Sequence, residues 1–412
     1  MDTDKDIRKM GKTSGTARAK RRAFLAATAL ALTMPTALAA KKTGKPNKKA
    51  AKPATGNPAL AAAPMGSSAT QLPPVKAPAL PDDWHSFALV FNAQMPLLSA
   101  PLRLWLPLPK TREALYQRNT DLRWQGNFSR SGLHRLPDGE LEAFFCDWPE
   151  GVMPRLEVAA TLSTADRVFD ASRRTQPPER DDILRQSLQA TAQLPNAGAA
   201  RELAAQIVGR VIDPLAQARV LFTWVVDKSV YDPALPPCGV GDAHGQIATG
   251  RYGGRSADIN GLFVALCRAI GIPARRVFGR RLGPSRLAAS LGVEDEDVTS
   301  AAHCRAEFYV PGYAWIPADP ADMCRVLALE NPAPENARAL RRILFGVWEM
   351  NWMACNHAES PILPDDDAPA PPFFIAPRLT GIGTAQNLPE TAELTYHIRS
   401  NALPEQGTKN DK

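Results

Sequence analysis

The sequence predicts an α+β protein: a β-sandwich-like N-terminal domain followed by a core in which one buried helix packs on an antiparallel sheet. Three observations predict it. From Phe87 to about Asp170 short apolar runs alternate with turn residues and no helical period appears, which is the pattern of half-buried strands. After the polar break Arg174-Thr-Gln-Pro-Pro-Glu-Arg180 the period changes to helical. Within the second half, Ile259, Leu262, Phe263, Leu266 and Ile270 then mark one buried face of a helix starting near Ser256, ahead of a short hairpin.

The first 80 residues lie outside this pattern. A basic stretch ending in Lys20-Arg21-Arg22 precedes the apolar run Ala23 to Met34, and Ala37-Leu38-Ala39 supplies a small-residue cleavage site, so residues 1–39 are expected to be a signal peptide. Arg21-Arg22-Ala23-Phe24-Leu25 is similar to the twin-arginine export signature, with Lys20 where Ser or Thr is usual. An ordinary secretory signal is the alternative, and either route implies a periplasmic or secreted protein. Residues 40–80 are rich in Lys, Pro and Ala and contain no acid, a composition that cannot bury a core and predicts a solvated linker. It reads as a plain spacer or as a weak attachment to anionic cell-envelope polymers.

Charge follows the same division. The chain carries +7 overall, residues 1–80 carry +12, and residues 81–412 therefore carry −5. A mildly acidic body gives no face that could track phosphates, which argues against nucleic acid as a partner. No window offers the roughly 20 apolar residues of a membrane-spanning helix, so no transmembrane anchor is expected after cleavage. The six cysteines (146, 238, 267, 304, 324 and 355) form no CxxC pair and the six histidines are scattered, so no metal and no cofactor is predicted.

The body divides into an N-terminal β-sandwich-like domain (81–175), a core (176–330), a C-terminal extension of that core (331–403) and a disordered tail (404–412). Strands are predicted at Leu102 to Leu108, Asp121 to Trp124, Leu141 to Phe145 and Arg155 to Leu162, with Trp105 and Trp124 as core aromatics. Ala199 to Val211 is helical, and Asp213-Pro214 starts the next helix as N-cap and first-turn proline. That helix carries Trp224, read as packing it into the core or lying under a cleft. The helix from Ser256 ends at Gly271 and Pro273. Its first turn sits where backbone N–H groups and the helix dipole favour negative charge.

Cys304 to Val310 and Trp315 to Pro317 read as two strands around the turn Pro311-Gly312. Position 311 is midway between His303 and Asp319, so simple antiparallel pairing predicts that they meet at the hairpin's open end. A carboxylate there would fix the imidazole tautomer and leave the other ring nitrogen as a base. Arg305 and Glu307, alternating with Ala306 and Phe308 on the same strand, are expected to form a cross-strand ion pair. Asp258 and Asn260, in the first turn, are expected to give helix-dipole support or local hydrogen bonding and not direct chemistry.

Taken together these segments resemble the transglutaminase-like superfamily, in its bacterial exported branch with an N-terminal β domain. The resemblance rests on Gly253-Gly-Arg-Ser-Ala-Asp-Ile-Asn-Gly-Leu-Phe-Val264, Gly271-Ile-Pro-Ala-Arg275, His303-Cys-Arg-Ala-Glu-Phe-Tyr309 and Gly312-Tyr-Ala-Trp-Ile-Pro-Ala-Asp319-Pro320. Cys238-Gly-Val-Gly-Asp242 and Leu344-Phe-Gly-Val-Trp-Glu-Met-Asn-Trp352 extend it over roughly residues 85–400. It implies a papain-like core, amide chemistry on protein or peptide substrates with Gln or amide groups, and a catalytic set at Ser256, His303 and Asp319.

One departure matters: the family's nucleophilic Cys is replaced by Ser256. A thiol at a helix N-terminus beside histidine ionises near neutral pH, whereas a hydroxyl needs a base acting during attack. Three readings stay open: Ser256 as a structural N-cap, Ser256 in a working Ser-His-Asp hydrolase or acyltransferase, and a substitute thiol. Of the candidate thiols, Cys304 is expected on the strand face opposite His303, Cys267 about three turns away along the helix, and Cys238 in a loop. The corresponding functions are an exported enzyme of amide bonds, or an inactive relative that binds peptides or cell-wall chains or scaffolds a partner; a purely structural role is a third.

Overall fold

Six strands open the described chain: β1 (His85–Gln94), β2 (Leu102–Pro107), β3 (Gln117–Gly126), β4 (Arg130–Leu136), β5 (Leu141–Trp148) and β6 (Arg155–Thr164). The computed structural model describes residues 83–111, 115–136, 141–366, 369–382 and 393–404. The expected signal peptide, the linker, and the expected tail beyond residue 404 lie outside the described residues. The remaining strands are β7 (Arg167–Val168), β8 (Val230–Tyr231), β9 (Gly253–Gly254), β10 (Ala274–Arg281), β11 (Ala302–Val310), β12 (Ala314–Ala318), β13 (Val347–Trp348), β14 (Trp352–Asn356), β15 (Arg378–Gly381) and β16 (Thr395–Ala402). The helices are α1 (Asp181–Gln186), α2 (Ala199–Val208), α3 (Pro214–Lys228), α4 (Ala243–Thr249), α5 (Ser256–Ala269), α6 (Pro320–Leu329) and α7 (Pro334–Ile343).

Two antiparallel sheets form the N-terminal half, in the orders β16-β1-β6-β3 and β15-β2-β5-β4. Alternate residues of facing strands, among them Leu89, Phe91, Leu104, Phe144, Val158 and Leu162, share one core, which gives the sandwich its apolar interior. β2 is buried along its whole length because its other face is also covered: Trp105 packs with Leu141, Leu363 and Phe374. Trp124 is half-buried and donates its indole N–H to Ser131 Oγ at 3.0 Å. An arginine within this apolar strand is tolerated because Arg103 makes two hydrogen bonds to Asp147, at 2.6 and 3.0 Å.

The second half is a four-stranded antiparallel sheet, β12-β11-β10-β14, with α5 packed against β10 and β11. All fourteen residues of α5 are buried, since α2, α3, α4 and α6 cover the sides the sheet leaves. Asp213 caps α3 through Oδ1, which accepts the Ala216 N–H at 2.8 Å. Trp224 packs α3 against Tyr252, with ring centroids 4.9 Å apart. The segment read from sequence as an extension of the core distributes its strands over both halves. β14 joins β10, β15 joins β2, and β16 pairs with β1, placing Ile398 opposite Phe91. No helix among the described residues is long and apolar enough to cross a membrane.

Candidate active site

Ser256 opens α5, but its side chain does not cap the helix. That task falls to Asp258, whose Oδ2 accepts the Arg255 N–H at 2.8 Å, in the manner of the reciprocal arm of a capping box. Its Oδ1 accepts from the N–H groups of Val240 at 3.1 Å and Gly241 at 2.6 Å. One carboxylate thus ties the loop 238–242 to the helix start. The loop approaches this closely because residue 239 is glycine: at φ +91° a Cβ would stand 1.8 Å from Asp258 Oδ2. Cys238 is held at φ +72°, a conformation non-glycine residues seldom adopt.

The Ser256 hydroxyl is directed away from the helix. Its Oγ accepts the Cys304 N–H of β11 at 3.0 Å and donates to Cys238 Sγ at 3.5 Å. The N-cap explanation for serine at this position is therefore not the one the geometry supports. The Ser256 N–H stands in the first turn, where no intrahelical carbonyl reaches it.

His303 lies near the start of β11 and Asp319 directly after β12, and the two meet with His303 Nε2 2.8 Å from Asp319 Oδ2. They do not meet by the simple pairing expected from sequence. Ala306 pairs with Ala318, so the register is offset by two residues from a turn centred on 311, and Gly312 and Ala314 both take positive φ in the turn. Asp319 instead leaves the strand, caps α6 by accepting the Asp322 N–H at 3.0 Å, and turns its second oxygen to the imidazole. Asn260, one turn into α5, completes the arrangement. Its Nδ2 donates to Asp319 Oδ1 at 3.0 Å and to the Cys304 carbonyl at 2.7 Å, while its Oδ1 accepts the Ala321 N–H at 3.1 Å. Asn260 thus joins α5 to β11 and to the junction of β12 with α6, a larger part than local hydrogen bonding. Asn260→Ala removes three buried hydrogen bonds, and urea denaturation at pH 7 is expected to show a stability loss of about 1–3 kcal/mol.

The electrostatics favour a neutral imidazole. Burial, followed by the charges of Arg281, Arg305 and Arg325, holds His303 well below the ordinary histidine value, against an opposing contribution from Asp322. Burial raises Asp319, and Arg305, Asn260 and Arg281 work the other way. With Nε2 facing the carboxylate, Nδ1 is the ring nitrogen left for a base. Asp322 also approaches Nε2, at 3.4 Å, and is itself paired with Arg281. His303, Asp319 and Asp322 bring three metal-capable atoms within 4.8 Å of one another, yet each carboxylate is already engaged by a protein donor.

The cross-strand ion pair expected on this strand forms at Glu307, with Arg275 of β10 and not with Arg305. Glu307 is held by Arg167 and by Arg275 Nε at 2.5 Å, while Arg305 lies 3.7 Å from Asp319 and donates to the Glu349 carbonyl. The reason is lateral packing: Arg275 sits opposite Glu307 on β10, so the carboxylate is taken across the sheet.

All six cysteines are buried thiols. Cys267 is one whose pKa burial pushes up. Cys238 differs. Burial opposes its ionisation, but contacts with the Cys304 thiol and the Ser256 hydroxyl and the charge of Arg276 outweigh this and hold it below the usual thiol value. Cys304, on the strand face that packs against Ala257 and Cys238, is pushed well above it by burial and by Cys238. Of the three thiols considered from sequence, Cys238 is the one in contact with Ser256 Oγ.

Ser256, His303 and Cys238 line a common cleft of about 400 Å³ with Tyr231, Arg255, Arg281, Asp322 and Arg325. Sequence reading did not single out the last five. Asp322 alone had a local signal, as an acid three residues after Asp319 in the first turn of a helix.

The model of the Transglutaminase-like superfamily matches residues 201–320, which include Ser256, His303 and Asp319. An uncharacterized protein of Haemophilus influenzae is 34% identical over 275 residues, covering 62% of this chain and 73% of that protein. Among solved structures, a candidate cysteine protease from Cytophaga hutchinsonii aligns at 17% identity with a TM-score of 0.49, covering 78% of this chain and 91% of that one. The periplasmic domain of TgpA from Pseudomonas aeruginosa aligns at 17% identity with a TM-score of 0.32, covering 62% of this chain and 92% of that one.

Proposed function

Since the chain belongs to the transglutaminase-like superfamily, we propose that it acts on carboxamide or peptide bonds of protein substrates by acyl transfer or hydrolysis, with Ser256 as nucleophile. The observation that carries this reading is the intact His303–Asp319 pair, clamped by Asn260 onto the helix that presents Ser256. In the first step Nδ1 of His303 takes the Ser256 proton as Oγ attacks the carbonyl carbon. The oxyanion forms at the first turn of α5, where the Ser256 N–H and the helix dipole favour negative charge. The imidazolium then gives its proton to the leaving amine, and an acyl-Ser256 ester remains. Water or a second amine resolves it with the same base. Asp319 holds the Nε2–H tautomer throughout and does not itself take the proton.

The same reading places the protein outside the cytoplasm, supported by the basic, apolar and Ala37-Leu38-Ala39 segments of residues 1–39. The basic stretch 40–80 is then a tether, suited to anionic envelope polymers.

A second reading is favoured by one specific contact. The Ser256 hydroxyl hydrogen-bonds to Cys238 Sγ and the Cys304 N–H, and among the described residues it makes no hydrogen bond to the His303 ring. If that arrangement persists with substrate bound, the cleft binds peptides without turning them over. Intact-protein mass measurement after exposure to an activated peptide ester separates the two. An acyl adduct on the native chain that is missing from Ser256→Ala supports the enzyme; no adduct on either supports a binding module.

A further inference from the structure

Two guanidinium groups converge on one phenol inside the Ser256 cleft. Arg255, the residue before α5, donates through Nη2 to the Tyr231 hydroxyl at 3.3 Å, and Arg325 of α6 donates to the same oxygen through Nη1. Both guanidinium carbons lie within cation–π distance of the Tyr231 ring, at 5.9 and 5.4 Å. Their other hydrogen bonds go to backbone carbonyls, Arg255 to Leu235 and Arg325 to Ser290. Neither has a carboxylate within ion-pair distance among the described residues. Among the buried arginines, Arg276 pairs with Glu359, Arg281 with Asp322 and Arg103 with Asp147, whereas Arg268 and Arg280 donate to backbone carbonyls but line no part of this cleft.

The surroundings do not supply the missing charge. Among the arginine, aspartate and histidine side chains lining the cleft, beside Tyr231 and Cys238, Arg255, Arg281 and Arg325 are positive, Asp322 is negative and already paired, and His303 is held neutral by burial. Behind the imidazole, Asp319 is faced by Arg305 at 3.7 Å. These arginine, aspartate and histidine groups leave an excess of two positive charges beside the nucleophile position. Burial and then, among the nearby positive charges, Arg281 and Arg255 pull Arg325 below its ordinary pKa, the repulsion a bound anion would relieve.

We propose that Arg255 and Arg325 form a specificity site for a carboxylate carried by the acyl-donor peptide close to its reactive carbonyl, so that the cleft selects anionic peptides over neutral ones. A planar carboxylate matches guanidinium forks, and two such donors on one phenol leave N–H directions for an incoming anion. This rests on the reading that the Ser256 cleft takes peptide carboxamides. The carboxylate has two possible sources, a free C-terminus or an acidic side chain beside the reacting residue.

The test is calorimetric titration of the full chain with three N-acetylated tripeptides: Ala-Gln-Ala with a free C-terminal carboxylate, the same peptide as its C-terminal amide, and Glu-Gln-Ala as its C-terminal amide. At least one carboxylate peptide is expected to bind about tenfold tighter than the neutral one, the factor a charge-assisted hydrogen-bonded pair supplies. Whichever binds tighter identifies the source. The preference should shrink as salt rises from about 50 to about 300 mM. It should disappear in Arg325→Gln and in Arg255→Gln, the latter serving if the former is poorly folded, and survive in part in Arg325→Lys. Equal binding of all three peptides, or a preference that persists in folded Arg325→Gln and Arg255→Gln, overturns the proposal. Because the readout is binding, a charge preference without any turnover would sink the catalytic reading alone, while turnover of the neutral peptide with no charge preference would sink only this inference.

Discussion

Replacing Ser256 by Cys is expected to accelerate acylation by a peptide ester by about 10²- to 10⁴-fold, the range over which a positioned base and an ionisable nucleophile contribute. The site has the features a thiolate needs. Position 256 lies in the first turn of a fully buried helix, where the dipole and the Ser256 N–H favour an anion, and it shares its cleft with a neutral imidazole. Serine in the same place receives less from these features, because its hydroxyl does not ionise near neutrality and its proton goes to Cys238 Sγ. Loss of the Cys304 N–H acceptor should cost the variant about 1 kcal/mol of stability, so thermal unfolding would show that any rate change is chemical. Burst kinetics with a p-nitrophenyl peptide ester measure it. A Ser256→Cys variant no faster than the native chain would mean that His303 does not serve position 256.

Asp319→Asn is expected to lower acylation in both the native and Ser256→Cys backgrounds, by about 10²- to 10⁴-fold, with a changed pH profile. The carboxylate accepts from Nε2 of His303 and thereby leaves Nδ1 unprotonated. An amide at 319 can turn its NH₂ toward Nε2, which favours the Nδ1–H tautomer and removes the base. In the parent, burial and Arg281 depress the His303 pKa below the usual value near 6.5. The unprotonated base is therefore retained as pH falls through 6.5, and activity should drop only at lower pH. The same depression has a stability consequence. Below the unfolded value of about 6.5 the unfolded chain binds a proton that the folded chain excludes, so this group's contribution is fully present above that pH and is lost as pH falls. His303→Gln should flatten that part of the stability–pH curve, which urea titrations between about pH 5 and pH 7.5 would resolve.

Much of this was legible in the sequence because its signals are local. The apolar offsets from Ile259 to Ile270 marked a helix beginning where α5 begins, and Asp213-Pro214 marked the start of α3. Alternation marked β2, β5 and β6. What escaped depends on contacts between distant segments. The pairing of β16 with β1 and of β15 with β2 joins residues some 300 positions apart, and neither strand carries a mark of its partner. The two-residue offset of the β11–β12 hairpin comes from the positive φ angles at Gly312 and Ala314, which midpoint arithmetic cannot anticipate. His303 and Asp319 were still identified as a pair, although Asp319 reaches the imidazole as a helix cap and not as a strand neighbour. Tyr231, Arg255 and Arg325 come from β8, the α5 cap position and α6, so their convergence exists only in the fold.

The central claim is that Ser256, activated by His303, forms a covalent acyl-enzyme. Its most direct measurement is the intact mass of the native chain, quenched within seconds of mixing with a peptide p-nitrophenyl ester and then mapped by proteolysis. The expected result is one added acyl group on the peptide containing Ser256, missing from Ser256→Ala and from His303→Gln. An adduct on Cys238 that persists in Ser256→Ala, or no adduct at any residue while Ser256→Cys becomes acylated, would contradict it.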